Sequence, residues 1–288
     1  MSKNEETVSV TLESTMVGPL WARAKYSQLY PEILTDTEAE QLIQKVIANH
    51  PEAKAEFQAM EEFIDEFYGL TFLVRARTFD DIIKNFVDEH PKASIVNIGC
   101  GLDTTFPRVD NNQITWYDLD LPEAIAYRKR FLPEYDRNYC IAKSVFDYTW
   151  FNKINFTQEN GLFCFAGGLF HYFPENNVAD LFHAMAAKFP GGEIFFDMPS
   201  KLGIRIVKRR FQTCGIQGVN IHFGIGNPEK QIHKWSDRLN ILEWFPLFAR
   251  ITREKRWKWR TRVMMQLNDW LNVSKFIHVK FKSEDEQF

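Results

Sequence analysis

Two short segments of the sequence carry glycine and carboxylate residues at a spacing that suits a nucleoside. Gly99 and Gly101 form a GxG turn directly after the apolar run SIVNI, and a glycine turn after a strand lets a ligand approach the backbone closely. Asp120 follows nineteen residues after Gly101, at the end of ITWYDLD. A carboxylate at this point can accept hydrogen bonds from both hydroxyls of a ribose. Together the two segments predict a nucleoside site.

The residues after the glycine turn decide which nucleoside fits. A dinucleotide fingerprint needs a third glycine or alanine so that a helix can present its N-terminus to a pyrophosphate. Thr104 holds that position here, and Pro107 follows. A ligand with an adenosine group and no phosphate therefore fits better, and S-adenosylmethionine (AdoMet) is the common one. The alternative is a turn that only reverses the chain, with Asp120 as a solvated cap.

The elements that position these residues alternate between strands and helices. Short apolar runs separated by longer segments begin after Pro91, a pattern typical of a parallel sheet. The last run, SKFIHVKFK, alternates cleanly and suits an antiparallel edge strand. The predicted strands are Ser94–Gly99, Ile114–Leu119, Tyr139–Val145, Leu162–Ala166, Glu193–Met198, Leu239–Trp244 and Lys275–Lys282. The sequence thus predicts an α/β fold with a Rossmann-like, doubly wound sheet of seven strands, the last one antiparallel.

Before Pro91 the spacing of apolar residues is helical. The predicted helices cover Thr35–His50, Glu52–Tyr68 and Arg77–His90. We therefore expect residues 1–91 to form an N-terminal helical extension that covers the cofactor site. Residues 92–288 are expected to form the core domain, with a lid inserted at about residues 201–235.

Five segments of the chain resemble a known family. They are TLESTMVGPLWARAKYS, LVRARTFDDIIKNF, VNIGCGLDTTFPRV, WYDLDLPEAIAYRKRF and FAGGLFHYFPENNV. In their order and spacing, and in the Asp103-Thr104 pair after the glycine turn, they resemble the leucine carboxyl methyltransferase family, which includes polyketide O-methylases of the tetracenomycin type. The resemblance implies a class I methyltransferase that uses AdoMet and methylates an oxygen.

The resemblance also implies roles for residues at matching positions. Arg75 would pair with the carboxylate of the cofactor's methionine part, and Lys25 is a second cationic candidate. Ser144 and Val145 would flank the adenine. The predicted cofactor-binding residues are Lys25, Arg75, Gly99, Cys100, Gly101, Asp120, Leu121, Ser144, Val145 and Ala166. Gly167 departs from the family, which commonly has a glutamate there, so an acidic cofactor contact is missing at this position.

Candidate acceptor-side residues follow the fourth predicted strand, where the open edge of a doubly wound sheet presents groups to a ligand. His171 could take a proton from a hydroxyl acceptor, and Tyr172 could orient it. The alternative is that these two rings only pack beside Phe170 and Phe173. Asp197, at the end of the fifth strand, is a less favoured candidate. A carboxylate acceptor would need no base, because it is already ionised at neutral pH.

Together with these residues, the resemblance implies an AdoMet-dependent O-methyltransferase that acts on a carboxylate or hydroxyl of a small, polyketide-like metabolite. The basic insertion at residues 201–235 suits an anionic or carrier-linked acceptor, although a solvated helix face explains its charge about as well. Two alternatives are a methyltransferase of protein C-terminal carboxylates and a non-catalytic AdoMet-binding protein, the latter suggested by Gly167.

Composition and charge argue against several other classes. The net charge is -3, from 35 Lys and Arg against 38 Asp and Glu, which does not suggest a nucleic-acid-binding protein. The basic segment RITREKRWKWRTR at residues 250–262 predicts an amphipathic helix whose tryptophans pack on the sheet, with RNA binding as the alternative. No membrane span or apolar leader is visible, so we expect a cytoplasmic protein. No histidines or cysteines show metal-ligand spacing, and no metal is predicted.

Overall fold

Seven runs rich in β-branched and aromatic residues form one sheet. The computed structural model describes residues 12–49, 57, 60, 64–133, 135–213 and 220–283. The strands are β1 (Ser94–Ile98), β2 (Thr115–Asp120), β3 (Asn138–Ala142), β4 (Leu162–Ala166), β5 (Glu193–Pro199), β6 (Leu239–Pro246) and β7 (Ser274–Phe281). Their order is β3-β2-β1-β4-β5-β7-β6, with β1 to β5 mutually parallel. The predicted α/β fold is confirmed, and each predicted strand overlaps an observed one.

The last strand is antiparallel, as predicted, but it does not lie at the edge of the sheet. β7 pairs with β5 on one side and with β6 on the other, so β6 is the edge strand. The alternating polar residues of β7 suggested an edge strand, but two of them, Lys275 and His278, have hydrogen-bonding partners. The Lys275 ammonium donates to the carbonyls of Ile225 and Gly226 at 3.1 and 2.8 Å. His278 Nε2 lies 2.8 Å from the Glu193 carboxylate.

Nine helices lie within the described residues. They are α1 (Leu12–Leu29), α2 (Thr37–Asn49), α3 (Glu66–Glu89), α4 (Phe106–Val109), α5 (Pro122–Phe131), α6 (Glu175–Lys188), α7 (Lys201–Thr213), α8 (Pro228–Trp235) and α9 (Trp259–Trp270). Short 3-10 helices cover Tyr148–Lys153 and Phe170–Tyr172. In the part of the chain that the structure describes, no helix is both long and apolar enough to cross a bilayer.

The helix α3 is longer than the sequence predicts. Arg77–His90 was expected as a separate helix, but it is the second half of α3, which begins after the cap Asp65. Most of the other predicted helix, Glu52–Tyr68, lies outside the described residues. Gly69 lies inside α3 and does not end the helix. Because glycine has no side chain, the ring of Tyr26 on α1 can pack directly on the helix backbone at this point. Arg75 therefore lies in the middle of a rigid element.

The N-terminal helices pack on one face of the sheet through aromatic side chains. Phe79 of α3 lies 5.4 Å, between ring centroids, from both Phe165 of β4 and Phe195 of β5. The core on this side continues through α1 and α2. The opposite face is covered by α6, whose Phe182 packs on Phe196 of β5. This double coverage leaves the carboxyl ends of the parallel strands as the accessible edge.

The basic segment at residues 250–262 differs from its prediction. Helix α9 begins only at Trp259, near the end of that segment. Trp257 is buried, but its ring meets Tyr30, the residue after α1, rather than the sheet. Trp259 is 64% exposed, so the prediction that the two tryptophans of this segment pack on the sheet was wrong.

Candidate cofactor and acceptor site

The predicted ligand-binding residues meet at one edge of the sheet. After β1 the chain adds β2 and β3 on one side, and then crosses to β4 and β5 on the other. In doubly wound sheets, ligands bind outside the carboxyl ends of the strands at this point of reversal. Gly99 and Gly168 lie just beyond the ends of β1 and β4, Asp120 is the last residue of β2, and Asp197 lies two residues before the end of β5. The edge between β1 and β4 is therefore the candidate site.

The glycine turn after β1 has the backbone geometry that its sequence indicated. Gly99 and Gly101 have φ values of +70° and +43°, a region that other residues rarely adopt. A Cβ on Gly99 would lie 2.7 Å from Leu169 Cδ1, and one on Gly101 would lie 3.1 Å from Met16 Cγ. The side chains of Met16 and Leu169 thus cover the turn.

Asp120 connects the glycine turn to the end of β2. Its Oδ2 accepts a hydrogen bond from Gly101 N at 2.8 Å, and its Oδ1 accepts one from Leu121 N at 2.7 Å. Burial raises the pKa of this carboxyl group above its ordinary value. Since each carboxylate oxygen has a second lone pair, Asp120 can still accept hydrogen bonds from two ribose hydroxyls.

The residues predicted to flank an adenine lie beside Asp120. Ala142, the last residue of β3, pairs with Asp120, and Ser144 and Val145 follow in the next turn. Val145 is buried and its carbonyl accepts a hydrogen bond from Trp150 Nε1 at 2.9 Å. Leu121, on the other side, is 41% exposed. This part of the edge therefore offers apolar surface next to the carboxylate.

Two further residues of the predicted set, Cys100 and Ala166, are buried at the ends of β1 and β4. Burial raises the pKa of the Cys100 thiol well above its ordinary value, so the thiol stays protonated. Cys100 N donates to the carbonyl of Leu119 at 3.2 Å. Both residues can therefore shape the edge by packing and backbone contacts rather than by charge.

Arg75 reaches the same edge from α3. Its Nη1 lies 3.8 Å from Asp197 Oδ2, and its guanidinium lies 5.2 Å from the centroid of the Phe72 ring. A Cβ on Gly168 would lie 2.7 Å from Nη1, so the glycine makes room for the guanidinium. Among the described residues, none accepts a hydrogen bond from Arg75. Its donors are therefore available to an anionic group.

The cation on α1 that contacts the glycine turn is Arg23, not Lys25. The Arg23 Nη2 donates to the carbonyl of Leu102 at 3.0 Å. Lys25 is half-buried, with its ammonium 4.9 Å from the centroid of the Trp21 ring. The role of Lys25 in cofactor binding stays a prediction, whereas Arg23 is a contact that the sequence analysis missed.

Arg23 belongs to a buried set of charges that we call the Asp36 network, which also includes Asp36, Asp80, Thr104 and Arg108. Asp36 accepts from Arg23 Nε at 3.0 Å and from Thr104 Oγ1 at 2.7 Å. Arg108 lies 3.0 Å from Asp36 and donates to both oxygens of Asp80, at 2.6 and 2.9 Å. Burial alone would raise the pKa of Asp36, but the two arginines outweigh it and lower the pKa. The network fixes the helical extension to the residues after the glycine turn.

A second buried ion pair, between Arg128 and Asp118, stabilises the backbone of the glycine turn. Arg128 of α5 donates to Asp118 at 2.9 Å and to the carbonyls of Gly101 and Asp103 at 3.1 and 2.7 Å. Asp118 also accepts from Trp116 Nε1 at 3.0 Å. A carboxylate inside the buried run WYDLD was the signal for this pair, because a buried charge needs a partner of opposite sign.

The acceptor-side candidates His171 and Tyr172 lie on the 3-10 helix that follows β4, with ring centroids 4.2 Å apart. His171 Nδ1 is buried and has no hydrogen-bond partner among the described residues. Burial lowers the pKa of His171 to about 4, and the nearby charges of Asp197 and Arg75 act on it in opposite directions. Burial also raises the pKa of Tyr172. Phe170, between these residues and the strand, is fully buried.

The inserted segment borders these residues. His222 N donates to the carbonyl of His171 at 2.8 Å, and Ile225 N donates to that of Pro199. Helix α7, which begins the insertion, contains no acidic residue, and the guanidinium of Arg210 stacks over the Tyr68 ring at 4.2 Å. The part of the insertion at residues 214–219 lies outside the described residues. Among its described parts, residues 220–225 contact His171, and α7 carries the positive charge.

Comparison with known proteins identifies similar chains. The sequence model of leucine carboxyl methyltransferases matches residues 16–186. The tetracenomycin polyketide synthesis O-methyltransferase TcmP of Streptomyces glaucescens is 28% identical over 225 residues, which cover 77% of this chain and 79% of TcmP. A DUF574 family protein from Streptomyces avermitilis superposes with a TM-score of 0.56 at 8% identity, over 78% of this chain and 89% of that one. At this low sequence identity, the superposition shows that the two proteins share a fold.

Proposed function

Because this chain belongs to the leucine carboxyl methyltransferase family, it is an AdoMet-dependent methyltransferase, and we propose that it methylates a carboxylate oxygen of a small, aromatic, polyketide-like acid. Its relative TcmP is named as an O-methyltransferase of polyketide synthesis, which supports both the oxygen and the class of acceptor. Bound AdoMet supplies an electrophilic methyl group on a sulfonium sulfur. The protein mainly has to align donor and acceptor in a site shielded from water.

The residues at the candidate site fit this cofactor. The positive φ angles of Gly99 and Gly101 suit close approach of a ligand to the backbone, and Asp120 has lone pairs for the ribose hydroxyls. Arg75 has donors for the carboxylate of the methionine part. Ser144 and Val145 would flank the adenine.

The observation that carries the choice of a carboxylate is the burial of His171, whose Nδ1 has no hydrogen-bond partner among the described residues. An imidazole with a pKa of about 4 is neutral at pH 7 but is a weak base. It is therefore poorly suited to deprotonate an alcohol or phenol, whereas a carboxylic acid is already ionised at this pH. The protonated phenol of Tyr172 can donate a hydrogen bond to such an acceptor. The cations of α7 also favour an anionic acceptor.

We also propose the roles of the two added segments. The N-terminal extension, residues 1–91, covers the cofactor, a role supported by the contact of Met16 with the glycine turn. The insertion at residues 201–235 closes over the acceptor, a role supported by the hydrogen bond between His222 and His171.

A probe that carries both acceptor groups on one ring system tests the choice of oxygen. The enzyme is incubated with tritium-labelled AdoMet and a panel of hydroxynaphthoic and hydroxyanthracene carboxylic acids. Methyl esters release volatile methanol in mild alkali, whereas methyl ethers do not. We expect alkali-labile label. Stable label would show a hydroxyl acceptor. A peptide that ends in leucine is tested as a separate acceptor, and labelling of this peptide alone would show a protein carboxyl methyltransferase.

Arg75→Ala should weaken AdoMet binding by about 1.5 to 3 kcal/mol, the range for losing a hydrogen bond to a charged group. Titration calorimetry measures the effect. The control ligand is 5′-methylthioadenosine, which lacks the amino-acid part and should bind the variant and the wild type alike. Equal affinity of the two proteins for AdoMet would refute the role of Arg75.

Removal of divalent ions should leave AdoMet binding unchanged. Methyl transfer to a carboxylate needs no Lewis acid, and the described residues contain no group of His, Cys, Asp or Glu arranged to hold a metal. The protein is dialysed against EDTA and titrated with AdoMet. Loss of binding that a divalent ion restores would show that a metal is required.

His171→Gln should make the protein less sensitive to acid. The pKa of His171 falls from an ordinary value of 6.5 to about 4 on folding, so the unfolded chain binds more protons between these pH values. The stability that depends on neutral His171 is complete above pH 6.5 and is lost as the pH falls toward 4. This loss is about 3 kcal/mol.

Denaturant titrations at pH 7 and pH 4 measure this difference. The His171→Gln variant should lose about 2 to 3 kcal/mol less between the two pH values than the wild type does. The matched control is His183→Gln on the exposed side of α6, which should keep the wild-type dependence. The same pH dependence in all three proteins would contradict the low pKa of His171.

A further inference from the structure

We propose that Asp197 binds the ammonium group of the cofactor's methionine part, so that Asp197 and Arg75 together bind both charged ends of an amino-acid zwitterion. The proposal rests on the proposed function, in which AdoMet occupies this edge. It assigns a binding role to the carboxylate at the end of β5.

The two side chains form a loose pair of opposite charges at the candidate site. Arg75 Nη1 and Asp197 Oδ2 are 3.8 Å apart, beyond hydrogen-bonding distance. Their side chains are only 20% and 13% exposed, so both charges are partly removed from water. A partly desolvated pair without a hydrogen bond gains little stability. A zwitterion carries a carboxylate and an ammonium close together, and it would give each of these groups a hydrogen-bonded partner.

The carboxylate of Asp197 is oriented for such a ligand. Its Oδ1 accepts the backbone N–H of Gly168 at 2.6 Å, which fixes the plane of the group. Among the described residues, none donates a hydrogen bond to Oδ2, the oxygen nearest Arg75. Fixing one oxygen while the other stays available is the arrangement that a binding carboxylate needs.

Asp197 can also supply the negative charge that a glutamate at position 167 would provide and that Gly167 does not. Ala166 of β4 pairs with Phe196 of β5, so Asp197 lies on the neighbouring strand beside Gly167. A Cβ on Gly167 would lie 3.3 Å from Phe79 Cε2, in contact with the aromatic core. A carboxylate on β5 therefore reaches the edge without placing a charged side chain against that core.

Calorimetry of Asp197→Asn with three ligands tests the proposal. The amide oxygen of asparagine can still accept from Gly168 N–H, so the variant removes the charge and keeps this bond. The ligands are AdoMet, decarboxylated AdoMet, which retains the ammonium and lacks the carboxylate, and 5′-methylthioadenosine, which lacks both. We expect the variant to bind the first two at least about tenfold more weakly and the third within about twofold of wild type. Arg75→Ala should weaken AdoMet alone.

Three results would overturn the proposal, two with the variant and one with the wild type. Unchanged affinity of Asp197→Asn for AdoMet would exclude an ammonium contact, and equal weakening of all three ligands would show that Asp197 only supports the loop at Gly168. If the wild type binds none of the three ligands, the proposed function itself fails. Should Asp197→Asn not fold, Asp197→Ser is titrated instead. The wild type is also titrated with deaminated AdoMet, and binding as tight as that of AdoMet would equally overturn the proposal.

Discussion

Asp120→Ala should weaken AdoMet binding about a hundredfold or more. The carboxylate would accept both ribose hydroxyls, and each charge-assisted hydrogen bond contributes about 1.5 to 3 kcal/mol, with incomplete additivity. No other described carboxylate connects the glycine turn to the end of β2. Titration calorimetry with AdoMet measures the effect, and wild-type affinity in the variant would refute the proposed ribose contact.

The same substitution should also affect folding, so affinity and stability must be measured separately. Asp120 accepts backbone hydrogen bonds from Gly101 and Leu121, and their loss should lower the free energy of unfolding by about 1 to 2 kcal/mol. Asp120→Asn is the matched control, because its amide oxygen can keep one of these bonds while the charge is removed. Its affinity for AdoMet should lie between those of the wild type and the alanine variant.

Arg108→Met should lower the free energy of unfolding by about 3 to 5 kcal/mol, the range for removing one partner of a buried ion pair. The substitution leaves the carboxylates of Asp36 and Asp80 buried with one fewer cation, and both are about 1% exposed. At the size of this chain the melting temperature should fall by roughly 10 °C. Arg77→Met is the matched control, because Arg77 makes an exposed ion pair with Asp81 and one hydrogen bond to the carbonyl of Ile33, which together should contribute no more than about 2 kcal/mol.

The effect of Arg108→Met should depend on pH. In the wild type the pKa of Asp36 is lowered, so the stability that this group contributes is lost as the pH falls through its folded pKa. In the variant, Asp36 and Asp80 lose the cation that they share. Protonation then removes the energetic cost of keeping these carboxylates charged and buried in the folded state. The difference in stability between the two proteins should therefore shrink between pH 7 and pH 4. A difference that is constant with pH, or that equals the effect of Arg77→Met, would contradict the role of Arg108.

The strands were predictable because their apolar runs are short and separated by long polar segments. The position of β7 was not, since Lys275 and His278 look solvent-facing in sequence and both have partners inside the structure. The length of α3 was also not predictable. Gly69 and the polar residues near it resemble a helix end, but the glycine is required by the ring of Tyr26, a contact that no local pattern records.

The glycine turn and Asp120 were predictable because a strand end and a loop fix their positions locally. The Asp36 network was not, because its members are far apart in the chain. Thr104 and Asp36, for example, are separated by 68 residues. A partial signal existed in Asp80 of FDDIIKNF, a carboxylate on the apolar side of a predicted helix, which must be paired if it is buried.

The Asp36 network has a consequence for how this protein can evolve. It joins Arg23, Asp36 and Asp80 to Thr104 and Arg108 across the predicted boundary at residue 91, and the family match, which begins at Met16, spans that boundary as well. A change at Asp36 is tolerable only with a compensating change at Thr104 or Arg108. We therefore expect these positions to covary among relatives. Recombination at residue 91 would separate the partners of these buried charges, so we expect chimeras joined there to be less stable than either parent.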